Sequence, residues 1–375
     1  MKLNFNAVSS ARDFATCSLF GSGHTRLSEV PAKYKTAGYD QNFDADTLWV
    51  DAIHVSGKVV LVCPRLNNLS AILKTARFRL DDVRVDAKFR EFKRHALIEL
   101  PAQYPPQKVS VRIGNWCAET EVNASDTETF QSHNVLLTLS KDNSLEWIHD
   151  WAKFHAHHQN ADAVLFVDNG SAGYGPKEIE DVLRKAGIQK AKVLSIPLPY
   201  GPRGERPYLL CDQFLQTCVM NIARLRFLSK ARAVLNCDID ELVHTNGLNV
   251  FDQAHQSKFG FVRFEGSWRY PSPTLQAEAR HSDHTFKRED AKPCPAKWCI
   301  VPDRFLGALQ WRPHSLEHLP FSDLFKSRTA QFWHCRSISN DWKNYGRLQP
   351  KNNTTLDPSF QLAFNGVLRS NAQRE

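Results

Sequence analysis

Methionine is scarce, with 2 among 375 residues, and no run approaches the roughly 18 consecutive apolar residues that span a bilayer. That excludes a transmembrane helix. No internal repeat or low-complexity tract occurs, which excludes a solenoid or a collagen-like chain. The 9 cysteines form no Cys-x-x-Cys pair, and Cys294 and Cys299 flank Pro-Ala-Lys-Trp without a second ligand pair. A zinc knuckle is therefore not expected. The opening 23 residues are interrupted by Asn, Ser, Arg and Asp, and lack the apolar stretch of a secretory leader. Reduced thiols and a cytoplasmic location are the expectation.

Single-signed charge blocks are also missing. Lys+Arg number 48 against 40 Asp+Glu, giving +8, but the cations are scattered. Such a balance suits a phosphorylated ligand or an acidic membrane face. It does not suggest nucleic acid as a partner. Hydrophobic residues at 42% and charged residues at 23% are those of an ordinary globular chain, long enough for two domains.

Between 47 and 122 lie short apolar or alternating segments: TLWVDAIHV, KVVLVC, FRLDDVRVD, HALIEL and VSVRIG. Pro101 and Pro105-Pro106 are among the breaks between them. The pattern predicts a small all-β, sandwich-like module over 1–130. From 134 the texture becomes strand–helix–strand. Apolar runs at 134–139, 163–167, 192–196 and 231–237 read as buried strands. Helices are predicted over 144–158 with Ser144 as N-cap, over 176–186 with Pro in the first turn, and over 208–228. Alternation of this kind implies an α/β domain, 131–350, with a mostly parallel central sheet and ligands at the carboxyl ends of its strands. Residues 351–375 read as a polar tail.

Asp238-Ile239-Asp240-Glu241 directly follows the fourth apolar run. In an extended segment Asp238 and Asp240 point to one side, which suits oxygen ligation of Mg²⁺ or Mn²⁺. Alone, D-x-D is more often a solvated turn or the start of a helix; its place at the end of a buried strand favours the cation. Asp168-Asn169-Gly170-Ser171 closes the second run. Asn-Gly is first a turn signal, yet an acidic residue at that place can also accept a ribose or base hydrogen bond. The first run ends at Ser140 and Lys141, where a further nucleotide-edge contact would lie. His149, His155, His157 and His158 cluster around one helix without a carboxylate partner and read as surface and packing.

Taken in order, NVLLTLSKDNSLEWIHDWAKFHAHH, ADAVLFVDNGS, DQFLQTCVMNIA and ARAVLNCDIDELV resemble the GT-A glycosyltransferases. Within those they are most similar to glycosyltransferase family 92 and its bacterial relatives. Lys297-Trp298-Cys299-Ile300-Val301-Pro302 with Arg312-Pro313-His314, and Trp333-His334-Cys335-Arg336 with Lys343, are similar to that family's later segments. The resemblance spans about 134–347 and leaves the N-terminal module outside. Phe166-Val167 and Cys335 depart from the family pattern.

The resemblance implies a UDP-linked nucleotide-sugar donor whose diphosphate is bridged by a metal to the D-x-D. Asp238 would approach ribose and metal, and Asp240 would ligate the metal, with His314 as third ligand. Arg312, Lys297 and Lys343 would meet phosphate, and Gln213 would touch the donor. For an inverting transfer, Glu265 is the expected base, with Glu289 and Asp290 as alternatives, and Trp268 and Tyr270 could stack on the acceptor sugar. The acceptor would be a saccharide or lipid-linked saccharide of surface polysaccharide or lipopolysaccharide synthesis, met at the inner membrane face. Two other readings stay open. A phosphatase of haloacid-dehalogenase type would use Asp238 as nucleophile and Asp240 as acid/base, and a non-catalytic carbohydrate-binding protein would use the tryptophans.

Overall fold

A strand with one buried face alternates apolar and polar side chains, as Arg77–Leu80 and Lys108–Ile113 do, whereas Lys58–Pro64 and His95–Pro101 are buried almost throughout. The structure is a computed structural model and describes residues 13–275, 278–340 and 353–369. Its first compact unit draws on Met1–Ser28, Ala45–Glu91 and His95–Ala124. The strands are β1 (Asp51–Val55), β2 (Lys58–Pro64), β3 (Arg77–Leu80), β4 (Val83–Val85), β5 (Lys88–Glu91), β6 (His95–Pro101), β7 (Lys108–Ile113), β8 (Trp116–Glu121) and β9 (Asn123–Ala124). One sheet runs β8-β7-β3-β4 and the other β9-β1-β2-β6-β5. Phe78, Val109 and Val111 from the first meet Ala52, Leu61 and Ile98 from the second in one core. This is a sandwich.

The second unit comprises Glu29–Asp44, Phe92–Arg94 and Ser125–Glu375. It is built on β10 (Asn134–Ser140), β11 (Ala163–Asp168), β12 (Lys190–Ser195), β13 (Ala233–Asn236), β14 (Glu241–Thr245), β15 (Phe261–Arg269), β16 (Cys294–Ile300) and β17 (Ala330–Cys335). The sheet order is β12-β11-β10-β13-β16-β15-β17-β14. The four strands from β12 to β13 pair in parallel. β16 opposes both its neighbours, β15 and β17 are again parallel, and β14 closes the edge antiparallel to β17. The fold class is therefore α/β with a mostly parallel sheet, as the alternation predicts.

Helices α1 (Leu145–Gln159), α2 (Pro176–Lys185) and α3 (Leu215–Arg226) connect the four parallel strands, and α4 (Val250–Gln256) leads from β14 to β15. Ser144 caps α1 by accepting from the Trp147 amide at 3.3 Å. The third helix is shorter than the predicted 208–228. Its first turns are lost because that stretch bonds across a loop, with the Gly204 amide donating to Leu209 O at 3.1 Å. Gly201, at φ +103°, lies so near that a Cβ there would sit 2.1 Å from Asp212 O; only glycine fits.

A final helix, α5 (Pro358–Arg369), stands where a polar tail is expected. Phe360, Phe364 and Val367 recur at helical spacing and are buried in the sheet-and-helix core. Among the described residues, no helix is long and apolar enough to cross a membrane.

Candidate functional site

Parallel strands expose their carboxyl ends together, and the chain turns sharply after each. After β13 the turn is Cys237 to Asp240, and Glu241 already begins β14. Two neutral, buried imidazoles hold this turn. His155, on α1, donates from Nδ1 to Trp151 O at 2.8 Å and accepts the Val243 amide at Nε2, 3.1 Å away. Burial depresses it to about 3. His281 donates from Nε2 to Ile239 O, the apex of the turn, at 2.8 Å. Of the clustered histidines, His155 is thus packing, as expected.

Asp238 and Asp240 do not lie along an extended strand; the turn sends them to different partners. Asp238 Oδ2 receives Lys297 Nζ at 2.8 Å, and the same ammonium meets Glu241 Oε2 at 2.8 Å. Asp240 Oδ2 lies 2.9 Å from His334 Nε2. His334 comes from β17, which pairs with β14 so that it faces Glu241 in register. Trp268 of β15 stacks on the His334 ring, with centroids 4.1 Å apart and planes 20° apart. Asp240, Glu241 and His334 each offer a ligand atom within 4.8 Å of the others. One imidazole and two carboxylates suit Mn²⁺ or Mg²⁺, the imidazole favouring Mn²⁺. The residues present fit such an ion.

These groups open into a cleft of about 330 Å³. Its wall includes Leu139 at the end of β10 and Asn143 after it, Gln213 just before α3 and Gln216 in its first turn, and the cations Arg94, Arg203 and Arg336. Gln216 accepts from Tyr200 OH at 2.9 Å and donates to Asp238 Oδ1 at 3.4 Å. His314 also lines the cleft, but it is His334 that gathers with Asp240 and Glu241 in an arrangement able to hold an ion. Its Nδ1–H donates to Ala296 O at 3.1 Å. Burial, then the Lys297 charge, holds it neutral with a pKa of about 3.

No family model matches the sequence, and no curated protein matches it. Some solved structures are similar in part. The WbbM bifunctional glycosyltransferase shares 9% identity over 41% of this chain and 26% of its own, with a TM-score of 0.24. The galactosyltransferase LgtC with donor and acceptor sugar analogues shares 13% over 48% and 60%, with 0.24. S. aureus TarS shares 12% over 48% and 32%, with 0.28. This chain spans less than two thirds of each. Likenesses of this extent carry no residue's role across; the cleft has to be read from its own geometry.

Several expected site residues fall elsewhere. Glu265 pairs with Lys326 at 2.9 Å and lines a separate recess with Asp323 and Arg328. An inverting scheme that relies on it as base loses that base. Glu289 and Asp290 pair with Lys287 and Arg288 and do not line the cleft either. Lys297 is fully buried between two carboxylates, so it cannot serve phosphate. Arg312 pairs with Glu317 at 3.3 Å, outside the cleft.

The turn reading holds at the second strand end. Asp168 accepts from the Gly170 and Ser171 amides at 3.1 and 2.9 Å, while Asn169 donates to Ile196 O and Leu198 O. Ser140 accepts from Asn143 at 2.7 Å, and Lys141 O accepts from Asn340. Tyr270 lines a neighbouring cavity of about 610 Å³. Lys343 lies outside the described residues. Asp238, Asp240, Gln213, His314 and Trp268 do meet in the cleft. Sequence reasoning did not name His334 or Glu241 among the candidate ligands, although both stand in the quoted motifs. Arg94 had no signal at all, being remote in sequence.

Proposed function

We propose that the chain is a metal-dependent glycosyltransferase. It would move a sugar from a nucleoside diphosphate donor, with uridine the base implied by the sequence resemblance, to a saccharide or lipid-linked saccharide. One observation carries this reading: Asp240, Glu241 and His334 converge at the base of a cleft beside the carboxyl ends of parallel strands. Those three would hold a divalent cation, whose Lewis acidity stabilises charge developing on a departing diphosphate. Arg94, Arg203 and Arg336 offer planar forks suited to phosphate oxygens. His314 presents a neutral ring to the hydroxyls of a bound sugar or ribose, and Gln213 and Gln216 supply further amide contacts. Trp268 fixes the His334 ring by stacking.

The test uses Mn²⁺ and UDP on the intact chain. Together they should raise the melting temperature more than either alone, since ligands of the folded state stabilise by mass action. A Mn²⁺-dependent breakdown of a UDP-hexose should accompany it, with no turnover of phosphate monoesters. Monoester turnover would instead support the phosphatase, and glycan binding without either turnover the binding protein.

The same cluster sets a pH dependence. Burial, then the neighbouring Asp238 and Asp240 charges against the opposing Lys297, raises the Glu241 carboxyl from its ordinary 4.5 to about 8. The folded chain thus keeps a proton that the unfolded chain releases. The stability this group lends is full below 4.5 and is lost as pH rises through about 8. A cation takes the ionised carboxylate, so its binding tightens over that same interval. Thermal stabilisation by Mn²⁺ should therefore grow from mildly acidic to mildly alkaline buffer, and Glu241→Gln should flatten the trend.

A further inference from the structure

The four-stranded sheet of the N-terminal unit buries Phe78, Leu80, Val109, Val111 and Ile113 on one side. Alternation turns Arg77, Arg79, Arg84 and Arg112 to the other, where all four are exposed. Register sets them against one another: Arg77 faces Arg112 across β3 and β7, and Arg79 faces Arg84 across β3 and β4. Like charges directly opposed weaken a strand pair. Other cations of this unit are matched, Lys58 and Arg90 with Glu99 and Lys108 with Glu119 among them. Among the described residues, no carboxylate pairs with Arg77, Arg84 or Arg112, and Arg79 has only a 3.3 Å bond to Asp82 O. The edge strand brings two carboxylates to the same face, Glu119 opposite Ser110 in the row of Arg79 and Arg84, and Glu121 opposite Lys108, and Lys108 neutralises Glu119 at 2.7 Å.

A second feature adjoins the array. Tyr104, 82% exposed, projects from the loop before β7, whereas Val83 stands opposite Leu80 and so turns to the side away from the arginines. That loop is tied to the β3–β4 turn by Asp81, which accepts from the Gln107 and Lys108 amides at 3.0 and 2.9 Å. A loop with an exposed tyrosine thus borders the β3–β4 end of the cationic face.

We propose that this arginine face docks the protein on an anionic phospholipid bilayer. Guanidinium forks match headgroup phosphate, basic residues gain from the negative surface potential, and a tyrosine at the rim suits the water–lipid boundary. A nucleic acid fits the face less well. The array has no exposed aromatic within it on which bases could stack, and no projecting helix or ribbon to enter a groove. The inference is independent of the transferase reading.

The experiment is sedimentation of the full chain with vesicles of phosphatidylcholine, with and without phosphatidylglycerol, at low salt. Binding should require phosphatidylglycerol and fall with salt. The triple variant Arg77→Gln/Arg84→Gln/Arg112→Gln should bind on the order of a hundredfold more weakly. It should melt no lower than the parent, because it removes opposed like charges. The charge-matched control Lys177→Gln/Lys185→Gln/Lys190→Gln, on exposed residues of the second unit, should bind like the parent. Equal loss in the control, undiminished binding by the triple variant, or binding to an oligonucleotide but not to vesicles would each overturn the proposal.

Discussion

Asp240→Ala should abolish Mn²⁺-dependent donor turnover while the chain stays folded. Asp240 supplies one of three donor groups that gather within 4.8 Å, and its Oδ2 is 2.9 Å from the His334 imidazole. Loss of it leaves Glu241 and His334, too few to hold a cation against water in a cleft this open. The cost should reach about three orders of magnitude in donor turnover, as when a preorganised group facing developing charge is removed. Stability should change little, because removing one carboxylate relieves an acidic cluster. Steady-state assays beside a melting curve separate the outcomes. Retained turnover would refute the ligand assignment, and a collapsed melting temperature would make Asp240 structural.

Lys297→Met should have the largest effect on stability. The ammonium is fully buried and lies 2.8 Å from both Asp238 and Glu241. Burial alone would lower its pKa, but the two carboxylates outweigh that and hold it raised, so it stays charged. Methionine keeps the volume and leaves the half-buried Asp238 and the buried Glu241 without the cation they share. Breaking a buried pair from one side costs about 3–5 kcal/mol. Adding Glu241→Gln should return part of the loss, since the two changes share one network. Added Mn²⁺ should stabilise Lys297→Met more than the parent. If Lys297 were a phosphate contact, as its place in the sequence motif suggests, the variant would lose donor affinity and melt normally.

The parallel half of the sheet was legible because buried strands need apolar runs and crossover helices need a spaced apolar stripe; 134–140 and 145–159 show both. The acidic turn was also legible, since three carboxylates after a buried strand demand compensation. What compensates them was not. Lys297 reads as a surface cation until the fold brings β16 beside β13, and His334 meets Asp240 and Glu241 only through the pairing of β17 with β14. Glu265 misled for the converse reason. It follows the strand after the D-x-D in sequence, yet its carboxylate pairs with Lys326 outside the cleft. The C-terminal helix had its signal in Phe360, Phe364 and Val367, which polar neighbours mask in a composition reading.

The central claim is a cation held by Asp240, Glu241 and His334. Anomalous diffraction from crystals soaked with Mn²⁺ and UDP tests it most directly. The expected result is one strong manganese peak within bonding distance of those three side chains, with diphosphate density on its open side. A cleft without that peak, or a peak elsewhere with Asp240 still closed on His334, would contradict it.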